Sequence, residues 1–294
     1  NNGDFTLQTE RGDVSTGGIN NEWVLYSPDK DMDVEMDLYG GKGASATDND
    51  GVASSYEGGE GGYARIRFTM KQNEEYVIAG LTTAINTPFV YHKGTLIACV
   101  GGGGQAGLGA KGGDGGGIDI AGANGGNRGG AGGYSIGMDG LGLRGTFGSA
   151  FQAPFVYQGD QQHHEENNAH GVTIRCTKGV YWAQQGIGAC NDVGTVKFRL
   201  SGGEEVTNTT NSITRGYKAG YNIIQTAGIG AVGINASRGG NGVTGGDGGG
   251  GSMNTGTNSG GGGGAGYTDG SVTVVSTTRG GSTEDAKVVL RLQS

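Results

Sequence analysis

The chain has 294 residues, of which 69 are glycine and only 3 proline, while hydrophobic side chains make up 33%. That leaves too few side chains for a conventional core along the whole chain, and the scarcity of proline excludes collagen, whose Gly-X-Y lattice depends on it. A formal net charge of −8 without a basic run argues against duplex nucleic acid and anionic membrane surfaces as partners. No window approaches the roughly 18 consecutive apolar residues of a membrane helix.

Residues 1–30 are read as an N-terminal attachment segment, and the start at Asn1 as the start of a processed or excerpted piece. From 31 to 38 the pattern alternates strictly, with Met32, Val34, Met36 and Leu38 on one face and Asp31, Asp33, Glu35 and Asp37 on the other. Residues 64–70 repeat that period with Arg65 and Arg67 on the polar side, so the two segments are expected to be neighbours in one sheet, joined by exposed ion pairs. Further strands are expected at 76–81, 96–100, 172–177, 196–200, 221–226, 271–277 and 287–292, most of them rich in Val, Ile and aromatics and bounded by Gly, Asn or Asp. The last two read as a hairpin closed by the polar turn 279–285. No segment shows a helical period.

Between the strands lies the glycine. GGEGGY spans 58–63, GGDGGG occurs at 112–117 and again at 245–250, GGAGGY at 129–134 and GGAGY at 263–267. Flexible linkers mix glycine irregularly with serine, whereas this spacing keeps a beat of three. A left-handed polyproline-II-type helix has three residues per turn, so a GGX repeat lines up two all-glycine faces and one column of X. Lacking Cβ, such helices can approach until backbone N–H meets backbone C=O between them. Glycine also loses more entropy on ordering than any other residue, so several runs have to stack together, clamped at their ends by strands. The expected fold is therefore all-β with a polyglycine-II helix bundle. Asp114, Asp247, Asn241 and Glu60 in the X column are expected to face water, and Tyr63, Tyr134 and Tyr267 to seal an end. The divisions are 1–30 for attachment, 31–145 for strands with the first glycine runs, 146–238 for a β-rich insert, and 239–294 for the second runs and a C-terminal β-hairpin.

Chemistry finds little foothold in these residues. Lys42 and Lys111 are each followed by glycine, so the Lys-Ser/Thr step of a P-loop is missing. The nearest calcium nonapeptide, starting at Gly112, has Gly117 where the liganding carboxylate belongs. Residues 161–170 hold three of the four histidines, His163, His164 and His170, in a run polar throughout, read as a mobile surface loop. Ser135 sits in a GxSxG match with glycines on both sides and none of the strand-to-helix context of a nucleophile elbow. The Arg11-Gly12-Asp13 tripeptide and the sequons at Asn208 and Asn235 arise easily by chance in such a composition. Three cysteines, Cys99, Cys176 and Cys190, contain no CxxC; Cys176 and Cys190 pairing across a hairpin and three free thiols both stay open. No enzyme, cofactor or metal is expected.

Paired GGX runs with variable loops resemble the distal adhesin of long tail fibres in T-even-type phages. The strand–GG–insert–GGxGGY–strand pattern of residues 33–80 is also similar to the extracellular glycine-rich domain of anaplastic lymphoma kinase-type receptors. The first resemblance implies a polyglycine-II bundle carrying host-recognition loops at its tip; the second implies a bundle that binds protein cytokines. A purely structural role, or an ice-binding protein like the polyglycine-helix antifreeze of springtails, is a third reading. The chain lacks the receptor domain's cysteine-rich companion and is acidic, which favours the viral fibre-tip reading. That reading implies a virion location outside the cell, a host surface receptor (protein or glycan) and other tail or fibre proteins as partners, with homo-oligomerisation left open. Binding residues gather on loops, and the loops expected at the tip are 105–111, 118–128, 135–157 and 252–259. The candidate receptor contacts on them are Gln105, Leu108, Ile118, Ile120, Met138, Leu143, Phe147, Phe151, Met253 and Asn254.

Overall fold

The computed structural model describes residues 4–8, 19–27, 29–47, 50–81, 86–93, 95–126, 150–151, 156–167, 173–182, 193–199, 205–211, 214–218, 228–229, 239–240, 242 and 260–293. No helix occurs among them. The strands in chain order are β1 (Asp4–Gln8), β2 (Ile19–Tyr26), β3 (Met32–Tyr39), β4 (Gly61–Met70), β5 (Glu75–Ala79), β6 (Phe89–His92), β7 (Thr95–Cys99), β8 (Ala150–Phe151) and β9 (Val156–Asn167), then β10 (Thr173–Trp182), β11 (Val193–Arg199), β12 (Glu205–Asn211), β13 (Thr214–Lys218), β14 (Gly228–Ile229), β15 (Tyr267–Thr268), β16 (Thr273–Ser282) and β17 (Lys287–Gln293). Two antiparallel sheets dominate, one ordered β1-β17-β3-β4-β16 and the other β15-β7-β6-β5-β2-β10-β9. Both draw a strand from residues 1–30.

One apolar cluster joins the two sheets. The alternating face of β3 supplies Met32, Val34, Met36 and Leu38, all at most 2% exposed, and β4 adds Ala64, Ile66 and Met70. Leu25, Tyr76, Ile78, Val90, Ile97 and Val100 meet them from the second sheet. Val77, Phe89, Tyr91, Leu96 and Cys99, from β5 to β7, are buried as well. These strands are apolar on both faces, so their sequence reads as an unbroken apolar run rather than an alternation. Cys99 is a free, buried thiol.

The polar face of β3 organises the first sheet. Glu35 pairs with Arg67 and Asp37 with Arg65 in the β3–β4 register, as the facing charges led us to expect. Only the arginine side of these pairs is exposed: Asp37 is 1% and Glu35 6% exposed, while the arginines lie over them toward solvent. Asp37 accepts two hydrogen bonds from Arg65 at 2.7 and 3.1 Å and one from the Tyr63 hydroxyl at 2.9 Å. Arg291 of β17 reaches in from the other side, 2.8 Å from Asp37 and 3.3 Å from Glu35. This arrangement also explains why the expected hairpin does not form. β17 pairs with β3 and β16 with β4, so the two C-terminal strands flank the β3–β4 pair instead of joining each other. β4 brings one arginine to each of the two carboxylates of β3, and β17 adds a third, Arg291, from the other side.

The polar run around His163 and His164 is also not a loop through Asn167, because β9 pairs with β10 over these residues, His164 opposite Cys176 and Glu165 opposite Arg175. Pairing satisfies its backbone whatever its side chains are, and as an edge strand it has only one neighbour to suit. The expected strand at 221–226 lies outside the described residues.

Glycine runs leave the strands directly: residue 40 follows β3, 61–62 open β4, 101 follows β7 and 266 precedes β15. They are bonded in rungs. Backbone N–H groups donate from Gly40 to Gly62, Gly62 to Gly101, Gly101 to Gly116 and Gly116 to Gly264, at 2.7–2.8 Å. A second rung runs from Gly43 to Gly59, Gly104, Gly113 and Gly261, at 2.8–2.9 Å. Every run enters the second rung three residues from its place in the first, so the beat of three in the sequence is the spacing of the rungs. Runs 40–43 and 101–104 point one way, the other three the opposite way. Run 101–104 exchanges backbone bonds with runs 40–43, 59–62, 113–116 and 261–264. A sheet strand has only two neighbours to bond, so these runs pack around one another. A Cβ built on Gly40, Gly62, Gly101, Gly104, Gly113 or Gly116 would lie closer than 3.0 Å to a carbonyl oxygen of an adjacent segment. The Cα–H groups thus face carbonyls at contact distance, a weak attraction that any side chain would abolish.

The described X-column carboxylates lie half-exposed at the edge and also serve as acceptors there. Asp114 accepts the Glu60 backbone N–H at 2.9 Å and lies 3.3 Å from the Lys111 ammonium, and Glu60 accepts the Gly281 N–H at 2.9 Å. They stand in for backbone acceptors at the rim of the packed runs, where none of the described glycine runs supplies one. The β16 bulge at 279–281 closes this rim, Gly280 donating to the Gly115 carbonyl at 2.9 Å. Positive φ angles of 69° and 97° at Gly280 and Gly281 make that departure from β4 accessible. Tyr63 does sit where β4 begins, its ring 5.1 Å from that of Tyr39. Tyr134 and Asp247 lie outside the described residues.

Two predictions follow from this packing. Burial pushes the Asp37 carboxyl upward, but hydrogen bonds from Arg65, Arg291 and Tyr63 outweigh it and hold its pKa below the ordinary 3.8. Its contribution to stability is therefore complete above pH 3.8 and lost as pH falls through the lower folded-state value. Asp37→Ala should cost about 2 kcal/mol in urea unfolding at neutral pH, short of a fully buried pair because Arg65 and Arg291 can rehydrate. It should also flatten the acid limb of the stability curve; an unchanged limb would mean the carboxylate carries no such role. Gly62→Val or Gly101→Val should cost roughly 3 kcal/mol or more. Glu57→Ala, on an exposed side chain, should stay within about 0.5 kcal/mol in the same urea unfolding.

Candidate functional site

The register of the rungs sorts the loops by end. The first rung, at residues 40, 62, 101, 116 and 264, adjoins the sheets, and the second, at 43, 59, 104, 113 and 261, is three residues farther away. Residues 44–57 and 105–111 continue from the second rung and so leave at the far end, where Gly126 donates to the Lys111 carbonyl at 2.9 Å and Gly260 to Gly126 at 3.3 Å.

The segment 44–57 forms an arch. Thr47 and Ala53 make a bridge, Ser54 N–H donates to Ala46 at 2.8 Å, and Gly51 at its crest has a φ of 81° with open space around it. The arch is seated on 105–111: Ala106 N–H donates to Ala44 at 2.9 Å and the Ser54 hydroxyl to the Gly107 carbonyl at 3.0 Å. That same hydroxyl accepts the Tyr56 N–H at 3.0 Å. Gly107 N–H donates to Ala110 and folds the second loop back on itself. Lys42 meets Glu57 at 2.9 Å at the base, and this pairing by hydrogen bond holds the Glu57 carboxyl below its ordinary range. Val52, 62% exposed, and Tyr56, 44% exposed, project from this arch.

The structure divides the expected contact residues. Gln105 and Leu108 are half-buried at the far end, where they were expected, and the Gln105 carbonyl accepts the Gly261 N–H at 2.9 Å. Ile118 and Ile120 are elsewhere. Ile118 is 3% exposed, belongs to the core cluster and donates its N–H to the Thr277 hydroxyl at 2.8 Å. The turn at 117–120, with Asp119 at a φ of 55°, lies beside the first rung, next to the sheets. Residues 121–126 then return along 111–117, Ala123 bonding to Asp114 at 2.7 Å and Gly263 to Ala123 at 2.9 Å. The segment 118–128 read as a tip loop is thus, over its described part, a tight turn and another packed run. Its Ala-Gly-Ala-Asn-Gly-Gly sequence keeps small residues where runs touch, but it breaks the strict GGX spelling that marked the others. Phe151 stands in β8, paired with Gly228 of β14. Met138, Leu143, Phe147, Met253 and Asn254 lie outside the described residues.

The arch was missed because its sequence, ASATDNDGVASSYE, carries no periodicity and only one aromatic. Its flanking glycine runs, 40–43 and 58–62, were the available signal, since any insert between two adjacent runs must emerge at their shared end. No protein-family model matches this chain, and none of the curated proteins does.

Because 121–126 is packed and 44–57 is an outgrowth, deletions should separate the two. Removing residues 122–125 should lower the melting temperature by roughly 8 °C or more, since several backbone bonds to neighbouring runs are lost. Replacing 47–53 by a short Gly-Ser link should shift it by only a few degrees. Equal shifts in a calorimetric scan would contradict the assignment of ends.

Proposed function

We propose that the glycine runs form a polyglycine-II-type bundle, that this bundle is a rigid stalk for the loops at its far end, and that the chain acts by binding rather than by catalysis. The reading that fits best is a phage tail-fibre adhesin: a virion protein that attaches to a host cell-surface receptor, protein or glycan, through its tip. The supporting observation is the pair of rungs three residues apart, which gathers the ends of the described runs and sends the segments 44–57 and 105–111 out on the side away from the sheets. A three-residue rise with bonds to more than two neighbours is what a three-per-turn extended helix requires. Backbone-to-backbone packing leaves loop sequences free of any duty to the fold, and that freedom suits recognition of variable surfaces.

The resemblance to T-even-type tail-fibre adhesins rests on the same paired runs and loops. The contacts assigned to this role are the arch at 44–57 with Val52 and Tyr56, together with Gln105 and Leu108; Met138, Leu143, Phe147, Phe151, Met253 and Asn254 stay as candidates on the inserts. Ile118 and Ile120 are withdrawn from the set. The direct test labels the purified chain and measures adsorption to a panel of bacterial strains. Replacing the arch residues 47–53 or mutating Phe147 and Phe151 to Ala should reduce adsorption at least tenfold at equal folded fraction, corresponding to about 1.4 kcal/mol or more. If every tip variant adsorbs like the parent, binding does not reside at this end.

A further inference from the structure

The histidine run of β9 has a partner that its own sequence does not show. In the β9–β10 register His164 stands directly opposite Cys176, Glu165 opposite Arg175 and Glu166 opposite Ile174. The ladder then slips: Thr177 faces Gln162, and His163 is the extra residue of a bulge. Regular extended backbone would put His163 and His164 on opposite faces. A bulge removes that obstacle, because two residues of the bulged strand then oppose one of the partner, and bulges recur where a strand re-aims a side chain beside a functional site. Glu166, two residues from His164, shares its face by alternation, and Glu165 takes the other face at the register position of a cation, Arg175. One line across the second sheet therefore carries His164 of β9, Cys176 of β10 and Trp23 of β2.

We propose that His163, His164 and Cys176 form a binding site for a divalent transition-metal ion of the zinc class, with Glu166 the nearest carboxylate for a fourth position. Residues directly opposite on antiparallel strands have Cβ atoms about 4.5–5.5 Å apart. A thiolate sulfur and an imidazole nitrogen, each about 2.0–2.3 Å from one ion, span such a gap. Two imidazoles and a thiolate are borderline-soft donors, which select zinc over calcium or magnesium, ions that call for oxygen. On binding, the Cys176 thiol gives its proton to solvent as the sulfur–metal bond forms, and the histidines bind through the lone pairs of neutral imidazoles. Trp23, 8% exposed, supplies an apolar neighbour in the same line, and an apolar surround limits the access of competing water to a metal. β9 is the edge of its sheet and has one neighbour, β10, so an ion held by both strands fastens that edge. The site lies on the second sheet rather than on the far-end loops, and it does not depend on what those loops bind.

Cobalt(II) and zinc(II) are the probes, titrated into the full chain after EDTA treatment and gel filtration. We expect cobalt to bind with the thiolate-to-metal charge-transfer band of a sulfur ligand and the intense visible bands of a four-coordinate ion. Cys176→Ser should abolish the charge-transfer band, and His163→Ala and His164→Ala should each weaken binding roughly tenfold or more. His92→Ala, on β6, is the control that should change neither. Zinc should raise the melting temperature of the parent and not that of Cys176→Ser. A second measurement needs no variant: zinc should protect Cys176 of the parent from alkylation, read by mass spectrometry, with the buried thiol of Cys99 as the internal reference. Cobalt bound without the charge-transfer band, affinity indifferent to Cys176→Ser, alkylation of Cys176 unchanged by zinc, or a disulfide between Cys176 and Cys190 in the purified chain would each overturn the proposal.

Discussion

Everything in this molecule rests on the hydrogen bond between two backbones that have no side chains between them. The rungs through residues 40, 62, 101, 116 and 264 and through 43, 59, 104, 113 and 261 exist only because Cα–H can stand against a neighbour's carbonyl. Such packing buries little apolar area and gains little from the hydrophobic effect, while glycine gives up more conformational entropy than any other residue when it is ordered. The runs therefore depend on what holds their ends, and both sheets supply that support.

The sheets are correspondingly conventional where the runs are not. Their shared core is built from ordinary aliphatic and aromatic side chains, and the runs at 40–43, 59–62, 101–104 and 261–264 each lie within two or three residues of a strand, so a strand's position fixes that of the run it feeds. On the first sheet the carboxylates of β3 recruit arginines from both flanking strands, which sets the order of β17, β3 and β4. That order then places β16 at the edge, from which its glycine bulge can swing across to close the rim at Gly115 and Glu60. A charge pattern in one strand thus reaches, through topology, the side of the glycine runs.

The same construction separates stability from recognition. Contacts that hold the runs are backbone to backbone and leave no room for variation, whereas the arch at 44–57 touches the rest through a few bonds at its base. Substitution at Val52 or Tyr56 has little to disturb, and substitution at Gly59 has nowhere to go.

Much of this could be read from the sequence. Strict alternation at 31–38 and 64–70 determined two paired strands and their core faces, because a period of two leaves no other way to bury Met32, Val34, Met36 and Leu38. The beat of three marked the described glycine runs as mutually bonded, because it matches the three-residue spacing of their rungs. Tertiary structure alone decided which strands become neighbours: residues 271–277 and 287–292 looked like a hairpin, whereas β17 lies beside β3, where Arg291 meets Asp37, and β16 lies beside β4. Burial of the carboxylates was equally hidden, because a period of two tells which face a carboxylate takes but not what will lie over it. Only the fold could tell the turn at Ile118 from the arch at 44–57, for both are short interruptions between glycines. The near end and the far end of a run differ in which strand they adjoin, and that is a property of the assembled sheets rather than of any local stretch of chain.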